Sequence, residues 1–270
     1  MDPLAQRDIA HLRADNPGPF TLSGTNSYLV GRDPAWLIDP GPALGSHLDA
    51  LVAGATQRGG LAGIVLTHDH ADHAEAIAPL RERLGPVQVA AARGPVDVHL
   101  GDGDRLGPLE ALHLPGHAPD HLALLAGDTA FAGDAVLGEG SAFITPHRGA
   151  LTAYLAGLER LRRRRPALLC PGHGPLVTDP DTKLSEYLVH RRAREDAVLL
   201  ALGRGRRSVD ELLDEAWGDV PAPLRPAAAI TLAAHLDRLA EEGRLPDGVQ
   251  RPEVPDWLLG DPTAAAGAAR

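Results

Sequence analysis

The feature that most constrains this chain is a cluster of metal-ligand residues at positions 67–73, THDHADH, which follows the apolar run 63–66. A short apolar run bounded by glycine and a polar cluster predicts a buried strand. Side chains alternate along an extended backbone, so the end of this strand would present His68 and His70 on one side. The helix expected next, over 72–84, would return Asp72 and His73 to the same place. Three imidazoles and a carboxylate favour zinc or a similar first-row ion over magnesium or calcium, which prefer oxygen ligands.

Four further residues of the ligand type lie at the ends of short apolar runs, next to glycine or proline. They are Asp39, His117, Asp134 and His173. Strand ends that meet at one edge of a sandwich would bring these side chains together, and the small neighbouring residues would let them approach closely. The sequence therefore predicts a metal site assembled from several strand ends.

The order of predicted elements indicates the fold class. Strands with interspersed helices occur twice along the chain, which predicts an α/β protein with two sheets packed face to face and helices outside. After Leu202 the composition changes to a linker rich in glycine and arginine. Ser208 is then expected to cap a helix that ends near Trp217. A second helix is expected over 226–242, which completes a small helix-turn-helix unit. We therefore predict a catalytic domain over 1–202, a C-terminal domain over 203–250 and a loosely ordered tail over 251–270.

Composition limits the partners and the compartment. The formal net charge is −10, yet residues 151–250 hold equal numbers of basic and acidic residues, so any basic footprint for nucleic acid must be local. The chain has one cysteine, Cys170, which excludes an internal disulfide and fits a reducing cytoplasm. Neither a secretory signal nor an apolar run long enough to span a membrane is visible, so we expect a cytoplasmic protein without a membrane partner.

The motifs resemble those of a known family. HxHxDH at 68–73, PGH at 115–117, GD at 133–134 and PGHG at 171–174, with Asp39 in IDPG before them, resemble the metallo-β-lactamase fold superfamily. This resemblance implies an αββα sandwich with two zinc ions, for which iron or manganese are alternatives. The ligands of the first ion would be His68, His70 and His117. The ligands of the second would be Asp72, His73 and His173.

The same resemblance implies roles for the two remaining carboxylates. Asp134 would bridge the two ions together with a hydroxide, while Asp39 would support the site without being a ligand. True β-lactamases of this fold generally carry Cys or Ser where Asp134 stands, so a lactam substrate is disfavoured.

A closer resemblance is to the beta-lactamase-like protein 2 branch of the superfamily. It is carried by FAGDAVLGEG at 131–140, LSEYLVHRRAREDAVL at 184–199 and TLAAHLDRLAEEGRL at 231–245. The branch implies that residues 203–250 form a winged-helix-like domain. Its animal members are single-strand-selective endoribonucleases, and its fungal relatives are thioesterases that release polyketides from carrier proteins.

These observations predict a dinuclear metal-dependent hydrolase in which a metal-bridging hydroxide cleaves an ester-type bond. The bond is either an acyl (thio)ester of a small or carrier-bound substrate or a phosphodiester of single-stranded RNA. Composition favours the first and family likeness the second. The expected catalytic residues are Asp72, Asp134 and His121. The alternative is a helix-turn-helix regulator with a metal-binding sensor domain. Under either hypothesis the chain could form a homodimer.

Several residues allow two interpretations. His121 either protonates the leaving group or supports its loop. His147 lies either at the substrate or on a surface loop. The run Arg162–Arg165 either grips phosphates or lies solvated at a helix end, where cations complement the helix dipole. Arg191, Arg192 and Arg194 alternate with acidic residues on a predicted helix and are expected to pair with them.

Overall fold

The computed structural model describes residues 2–255, and these form two compact units. The first unit comprises the chain up to Leu114 together with Asp120–Ser141 and Leu161–Lys183. The second comprises Pro115–Pro119, Ala142–Arg160 and the chain from Leu184 onward. Two helices, α4 (Ala150–Arg163) and α5 (Pro180–Gly203), have residues in both units.

The first unit contains two sheets. The first sheet has the strand order β1 to β6, with β1 (Ile9–Arg13), β2 (Asn26–Val30), β3 (Ala35–Ile38), β4 (Leu61–Val65), β5 (Val89–Ala91) and β6 (Val98–His99). The second has the order β11-β10-β9-β8-β7, with β7 (Arg105–Leu106), β8 (Leu109–His113), β9 (Leu122–Ala126), β10 (Thr129–Gly133) and β11 (Leu168–Pro171). The parallel pairings begin at β3–β4 in the first sheet and join β10 to β11 in the second.

The hydrophobic core lies between the two sheets. Val65 of β4 and Tyr28 of β2 belong to the same buried cluster as Phe131 of β10, and the rings of Tyr28 and Phe131 are 5.2 Å apart. Ile64 points to the opposite face of the first sheet, where it joins the buried residues of two helices, α1 (Gly45–Gln57) and α3 (Ile77–Leu84). Burial on both faces explains why β4 is a continuous apolar run. The predicted face-to-face packing of two sheets is confirmed.

The helix predicted over 72–84 is divided into α2 (Ala71–Ala74) and α3. Pro79 has no N–H to donate to the carbonyl of Glu75, so the helical hydrogen bond at that step is missing. The loop after β3 also takes up backbone groups that a continuous helix would use for its own hydrogen bonds. Gly41 accepts a hydrogen bond from the N–H of Ala76 (3.0 Å) and donates one to the carbonyl of His73 (2.9 Å). The break ties the turn that carries His73 to the end of β3.

The second unit has its own apolar core. Its helices α6 (Val209–Trp217) and α7 (Arg225–Glu241) are joined by a short 3₁₀ turn, Ala222–Leu224. The predicted capping box is present, since the Ser208 hydroxyl accepts from the N–H of Glu211 and the Glu211 carboxylate accepts from the N–H of Ser208. The shared core is made by buried residues of α5, α6 and α7, namely Val198, Leu202, Leu212, Trp217, Leu232 and Leu236. The predicted C-terminal helix pair is confirmed, and no strand follows β11 within residues 2–255.

The predicted tail is only partly covered, because residues 256–270 lie outside the described residues. At its start, Arg251 forms an ion pair with Asp237 at 2.8 Å. Among the helices of the described chain, none combines the length and the apolar character needed to cross a membrane.

Candidate metal centre

Ligand-type side chains from three strand ends meet in the first unit. His68 and His73 follow β4, Asp134 follows β10 and His173 follows β11. Two groups have ligand atoms that all lie within 4.8 Å of one another: His68, His73 and Asp134, and Asp72, His73 and His173. In α/β proteins, binding sites form just outside the carboxyl ends of the strands. Residues directly after such strands can therefore meet at one edge. The convergence predicted from the motif order is present for these five residues.

Asp134 lies between two imidazoles. Its Oδ1 is 3.4 Å from Nε2 of His73, and its Oδ2 is 3.2 Å from Nε2 of His173. The two Nε2 atoms are 3.3 Å apart, and Asp72 Oδ2 is 3.2 Å from that of His173. Asp134 also shares a group with His68, whose ligand atom lies within 4.8 Å of a carboxylate oxygen of Asp134, so it lies between the two predicted ligand sets as a bridging ligand would. The mixed nitrogen and oxygen donors fit zinc and other first-row ions.

Electrostatics in this cluster follow from burial and close opposite charges. Burial alone would lower the pKa of His173, but the carboxylates of Asp134 and Asp72 raise it to about 9. Burial likewise opposes ionisation of Asp134, yet the imidazoles of His173 and His73 hold its pKa well below the usual range. In the absence of a metal ion, protonated imidazoles can therefore pair with the carboxylates of this cluster. Metal binding must displace those protons.

Asp39 orients the two imidazoles without joining the ligand groups. Its Oδ2 accepts hydrogen bonds from Nδ1 of His73 (2.9 Å) and from the Thr67 hydroxyl (2.7 Å), while Oδ1 accepts from the Thr67 N–H (2.7 Å). The Thr67 oxygen lies 3.0 Å from Nδ1 of His68 and can accept its proton. Both imidazoles are thereby fixed in the tautomer that directs Nε2 toward the centre. The geometry supports the supporting role expected for Asp39.

The other two predicted histidine ligands lie in different units. His70 is half-buried in the first unit, with Nδ1 3.0 Å from Nε2 of His68, and burial lowers its pKa. His117 is buried in the segment Pro115–Pro119 of the second unit. There its ring packs against Phe143 at 4.5 Å, and its Nδ1 is 3.4 Å from the Phe143 carbonyl oxygen.

His121 supports the backbone that carries Asp134. Its Nε2 accepts hydrogen bonds from the N–H groups of Asp134 (3.1 Å) and Ala135 (3.2 Å), so this nitrogen is unprotonated. Gly133 precedes them at φ +46°, and a Cβ there would lie 2.7 Å from the same nitrogen. Of the two interpretations of His121, these contacts favour support of the loop over proton donation.

Asn26 and Tyr28 are supporting residues that sequence reasoning missed. The Asn26 side-chain amide donates to the carbonyls of Pro171 (3.0 Å) and Gly174 (2.9 Å), and the Tyr28 hydroxyl donates to Pro171 (2.8 Å). These bonds from β2 hold the loop that presents His173. The available signal was an asparagine at the start of a strand in which every residue is buried.

Asp120 is a buried carboxyl that precedes His121 in the chain. The residue is 4% exposed, and Oδ2 has no hydrogen-bond partner within the described part of the chain. Burial and the nearby charge of Asp69 raise the pKa of Asp120 from 3.8 to about 6. The folded state therefore disfavours the ionised form of this side chain.

Asp120→Asn is expected to stabilise the protein at neutral pH. An acid whose pKa is raised on folding loses stability as pH rises from 3.8 to about 6, and the cost persists above that window. The gain from the substitution should thus be near zero at pH 3.8 and reach up to roughly 3 kcal/mol at pH 7. Urea unfolding of both proteins across this range measures it. A difference that does not change with pH would contradict the assignment, and Asp69→Asn should give part of the same gain.

Several of the arginines considered for phosphate binding have protein partners. Arg162 forms an ion pair with Asp181 (2.7 Å), and Arg164 pairs with Glu110 (2.7 Å). Arg194 forms a two-point ion pair with Asp219, at 2.7 and 2.8 Å, so its partner lies outside α5 rather than among the acidic residues of that helix, where it was predicted. Arg191 is buried and donates instead to the carbonyl of Ala142, with its guanidinium 5.7 Å from the centre of the Tyr154 ring. Arg192 lies 3.5 Å from Glu159.

Two remaining candidates have no part in the cluster. Cys170 is fully buried in β11, and burial raises the pKa of its thiol, so it is poorly suited to act as a thiolate ligand. His147 lies in the second unit, with Nδ1 3.3 Å from the carbonyl of Arg148.

Comparison with known proteins identifies the family. Residues 20–96 and 94–173 match the metallo-beta-lactamase superfamily model, and residues 208–247 match that of the beta-lactamase associated winged helix domain. A beta-lactamase-like protein 2 homolog of Drosophila melanogaster is 29% identical over 279 residues, which cover 93% of each chain. The atrochrysone carboxyl ACP thioesterase of Aspergillus chevalieri is 31% identical over 79% of this chain and 74% of that one.

A solved structure shows the same fold. A metallo-beta-lactamase family protein from Thermus thermophilus superposes with a TM-score of 0.67 at 26% identity and covers 87% of this chain and 94% of its own. The resemblance to beta-lactamase-like protein 2, the α/β fold class and the winged-helix domain predicted from the sequence are thereby confirmed. Since the matched segments contain every metal ligand predicted above, the chain belongs to the metallo-β-lactamase superfamily and is a metal-dependent hydrolase.

Proposed function

We propose that this protein is a dinuclear zinc hydrolase of acyl thioesters or esters. One ion would be held by His68, His70 and His117, the other by Asp72, His73 and His173, with Asp134 between them. The observation that carries the proposal is that a carboxylate oxygen of Asp134 lies within 4.8 Å of the ligand atoms of both His68, from the first set, and His73, from the second. The Asp134 oxygens also lie 3.4 and 3.2 Å from Nε2 of His73 and His173. Two bound ions would generate a hydroxide nucleophile at neutral pH and stabilise the leaving oxygen or sulfur. Iron or manganese remain alternatives to zinc.

The two carboxylates have different proposed roles. The Asp134 side chain is 10% exposed and faces both imidazoles, so it holds the ligands in register and stays ionised. The Asp72 side chain is 31% exposed and is the one that solvent can reach. We assign Asp72 the proton that water would give up when the hydroxide forms. His121 would act by fixing the backbone of Asp134 and Ala135.

Charge supports an acyl substrate over RNA. A nuclease needs cationic side chains available to phosphates and aromatic side chains on which bases can stack. Arg162, Arg164, Arg191 and Arg194 lie against protein partners, while Phe, Tyr and Trp together make up 3% of the chain. An uncharged acyl group needs neither feature. The thioesterase name of the fungal relative supports the same choice.

The salt dependence of turnover tests the substrate class. Zinc-replete protein is assayed with an uncharged N-acetylcysteamine thioester and with labelled single-stranded RNA over a tenfold range of salt. We expect thioester hydrolysis with a KM that is nearly constant, because no condensed counterions are released. RNA binding falls with a log–log slope of about −0.7 per phosphate contact, so three contacts would cost roughly two decades over this range.

The outcomes separate the hypotheses. Salt-sensitive RNA cleavage without thioester hydrolysis would replace the acyl proposal by the endoribonuclease. Two bound ions without hydrolysis of either substrate would favour the metal-binding helix-turn-helix regulator. The double variant Arg162→Gln/Arg164→Gln should leave thioester hydrolysis within about twofold, since both arginine side chains are more than a third exposed, where an ion pair has a small energetic value. The cytoplasmic location and the homodimer remain predictions.

A further inference from the structure

A short segment of the second unit, residues 142–145, contacts the loop that carries His117. We call this segment the strap. The Thr145 N–H donates to the carbonyl of Gly116 (2.9 Å), and the Thr145 hydroxyl donates to the carbonyl of His117 (2.6 Å). Thr145 is 1% exposed and His117 2% exposed, so these bonds are shielded from solvent. The strap therefore fixes the backbone on both sides of the His117 amide.

The strap also contacts the His117 ring. The carbonyl oxygen of Phe143 lies 3.4 Å from Nδ1, a long hydrogen bond, and the Phe143 ring packs against the imidazole at 4.5 Å. A proton on Nδ1 that is directed at this carbonyl leaves Nε2 as the ligand atom. The orientation of His117 thus depends on where residue 143 is held.

Helix α7 holds the opposite side of the strap. The Thr231 hydroxyl accepts a hydrogen bond from the N–H of Ile144 (3.1 Å) and donates one to the carbonyl of Ala227 (3.1 Å). Thr231 is 2% exposed and Ile144 is fully buried. If the Thr231 hydroxyl is removed, the buried N–H of Ile144 loses its hydrogen-bond partner. Because an unpaired buried N–H is unfavourable, we expect the backbone of the strap to shift. Thr231 lies within the segment that matches the winged-helix domain.

Helix α5 adds a second hold. Arg191, which is 2% exposed, donates to the carbonyl of Ala142 at the start of the strap. Its guanidinium also lies over the ring of Tyr154, and Tyr154 lies directly under Gly116, where a Cβ would be 2.6 Å from the tyrosine. Gly116 has φ +151°. The backbone before His117 thus rests on a residue that α5 also contacts.

We propose that the winged-helix domain positions a metal ligand of the catalytic site, with Thr231 as the positioning residue that acts on His117 through the strap. The inference rests on the proposed assignment of His117 as a ligand. It gives the C-terminal domain a role in the chemistry that does not require the domain to bind a substrate or a nucleic acid. Loss of a supporting partner of a ligand typically weakens metal affinity 10–100-fold.

The test compares Thr231→Val with Thr231→Ser in the full-length chain. Valine keeps the shape but removes the acceptor, whereas serine keeps the hydroxyl. Stepwise zinc affinities are measured by chelator competition, with circular dichroism as the check on folding. We expect valine to weaken one of the two zinc ions roughly 10–100-fold and to leave the other within about threefold, while serine behaves as wild type.

Two controls separate positioning from general stability. Ser208→Ala removes the cap of α6 in the same domain without touching the strap, and it should leave both zinc affinities unchanged. In a His117→Ala background, Thr231→Val should have no further effect, because the two changes act through one ligand. If Thr231→Val does not yield folded protein, Thr145→Val tests the same link from the strap side and should weaken the same ion.

The possible zinc affinities of these variants either support or overturn the inference. Thr231→Val and Thr145→Val with wild-type affinities for both ions would overturn the inference, as would equal weakening of the two ions. Additive effects of Thr231→Val and His117→Ala would also overturn it. Wild-type protein that binds fewer than two ions after zinc reconstitution would instead refute the proposed dinuclear site, before any variant is compared.

Discussion

Asp134→Ala is expected to remove the second metal ion and to lower kcat/KM by far more than Asp39→Ala. A carboxylate oxygen of Asp134 lies within 4.8 Å of the ligand atoms of His68 and His73, one from each predicted ligand set. Asp39 instead contacts the far nitrogen of His73 and the side chain of Thr67. Loss of a supporting partner costs roughly 10–100-fold, so Asp39→Ala should fall in that range. Asp134→Ala should exceed it, because a direct ligand of both ions is lost.

Elemental analysis and kinetics of the two variants measure this difference. Both carboxylates are at least nine-tenths buried, so Asp39→Ala is a matched control for the removal of a buried carboxylate. Thermal unfolding of each metal-loaded variant establishes that it is folded. Equal losses in the two variants, or two tightly bound ions in Asp134→Ala, would contradict the bridging role.

Metal removal is expected to lower the free energy of unfolding, and by more at high pH. At free zinc 1,000 times the Kd, each site adds about 4 kcal/mol. In metal-free protein, protonated His173 pairs with Asp134 and Asp72, and its pKa is about 9 rather than 6.5. A base whose pKa is raised on folding adds stability that is complete below pH 6.5 and is lost as pH rises to about 9.

The metal-free and zinc-loaded proteins should therefore diverge across this window. Zinc must displace the proton from His173, so its affinity rises with pH until about pH 9 and then levels off. Urea unfolding at fixed free zinc between pH 6.5 and 9 measures both curves. His173→Ala should flatten the loss of stability in the metal-free protein. A metal-free protein that gains stability over the same range would contradict the assigned pairing.

The positions of the ligands could be predicted because each motif is local. A strand of period two, a tight turn and one helical turn are enough to place His68 and His73 on the same side, and these steps span six residues. Strands that are buried on both faces are continuous apolar runs in the sequence. The end of each run therefore locates the ligand-type residue that follows it. The cap of α6 is equally local, since Ser208 and Glu211 are three residues apart.

Short edge strands were less predictable. Each of β6 and β7 has two residues, too few for a period to show. The division of the predicted helix at residues 75–76 likewise depends on Gly41, more than thirty residues away, although Pro79 gave a local sign of it.

By itself, the sequence determined the cluster of ligand-type residues at 67–73, the two-sheet fold and the pair of C-terminal helices, because local spacing and the order of the elements mark them. Only the tertiary structure decided which distant residues hold the loops of His173 and His117. Asn26 lies 145 residues from Pro171, and Thr231 lies 87 residues from Ile144. A hydrogen bond between a side chain and a distant backbone group leaves no periodic mark in either segment, so it becomes visible only when the fold has brought both groups together.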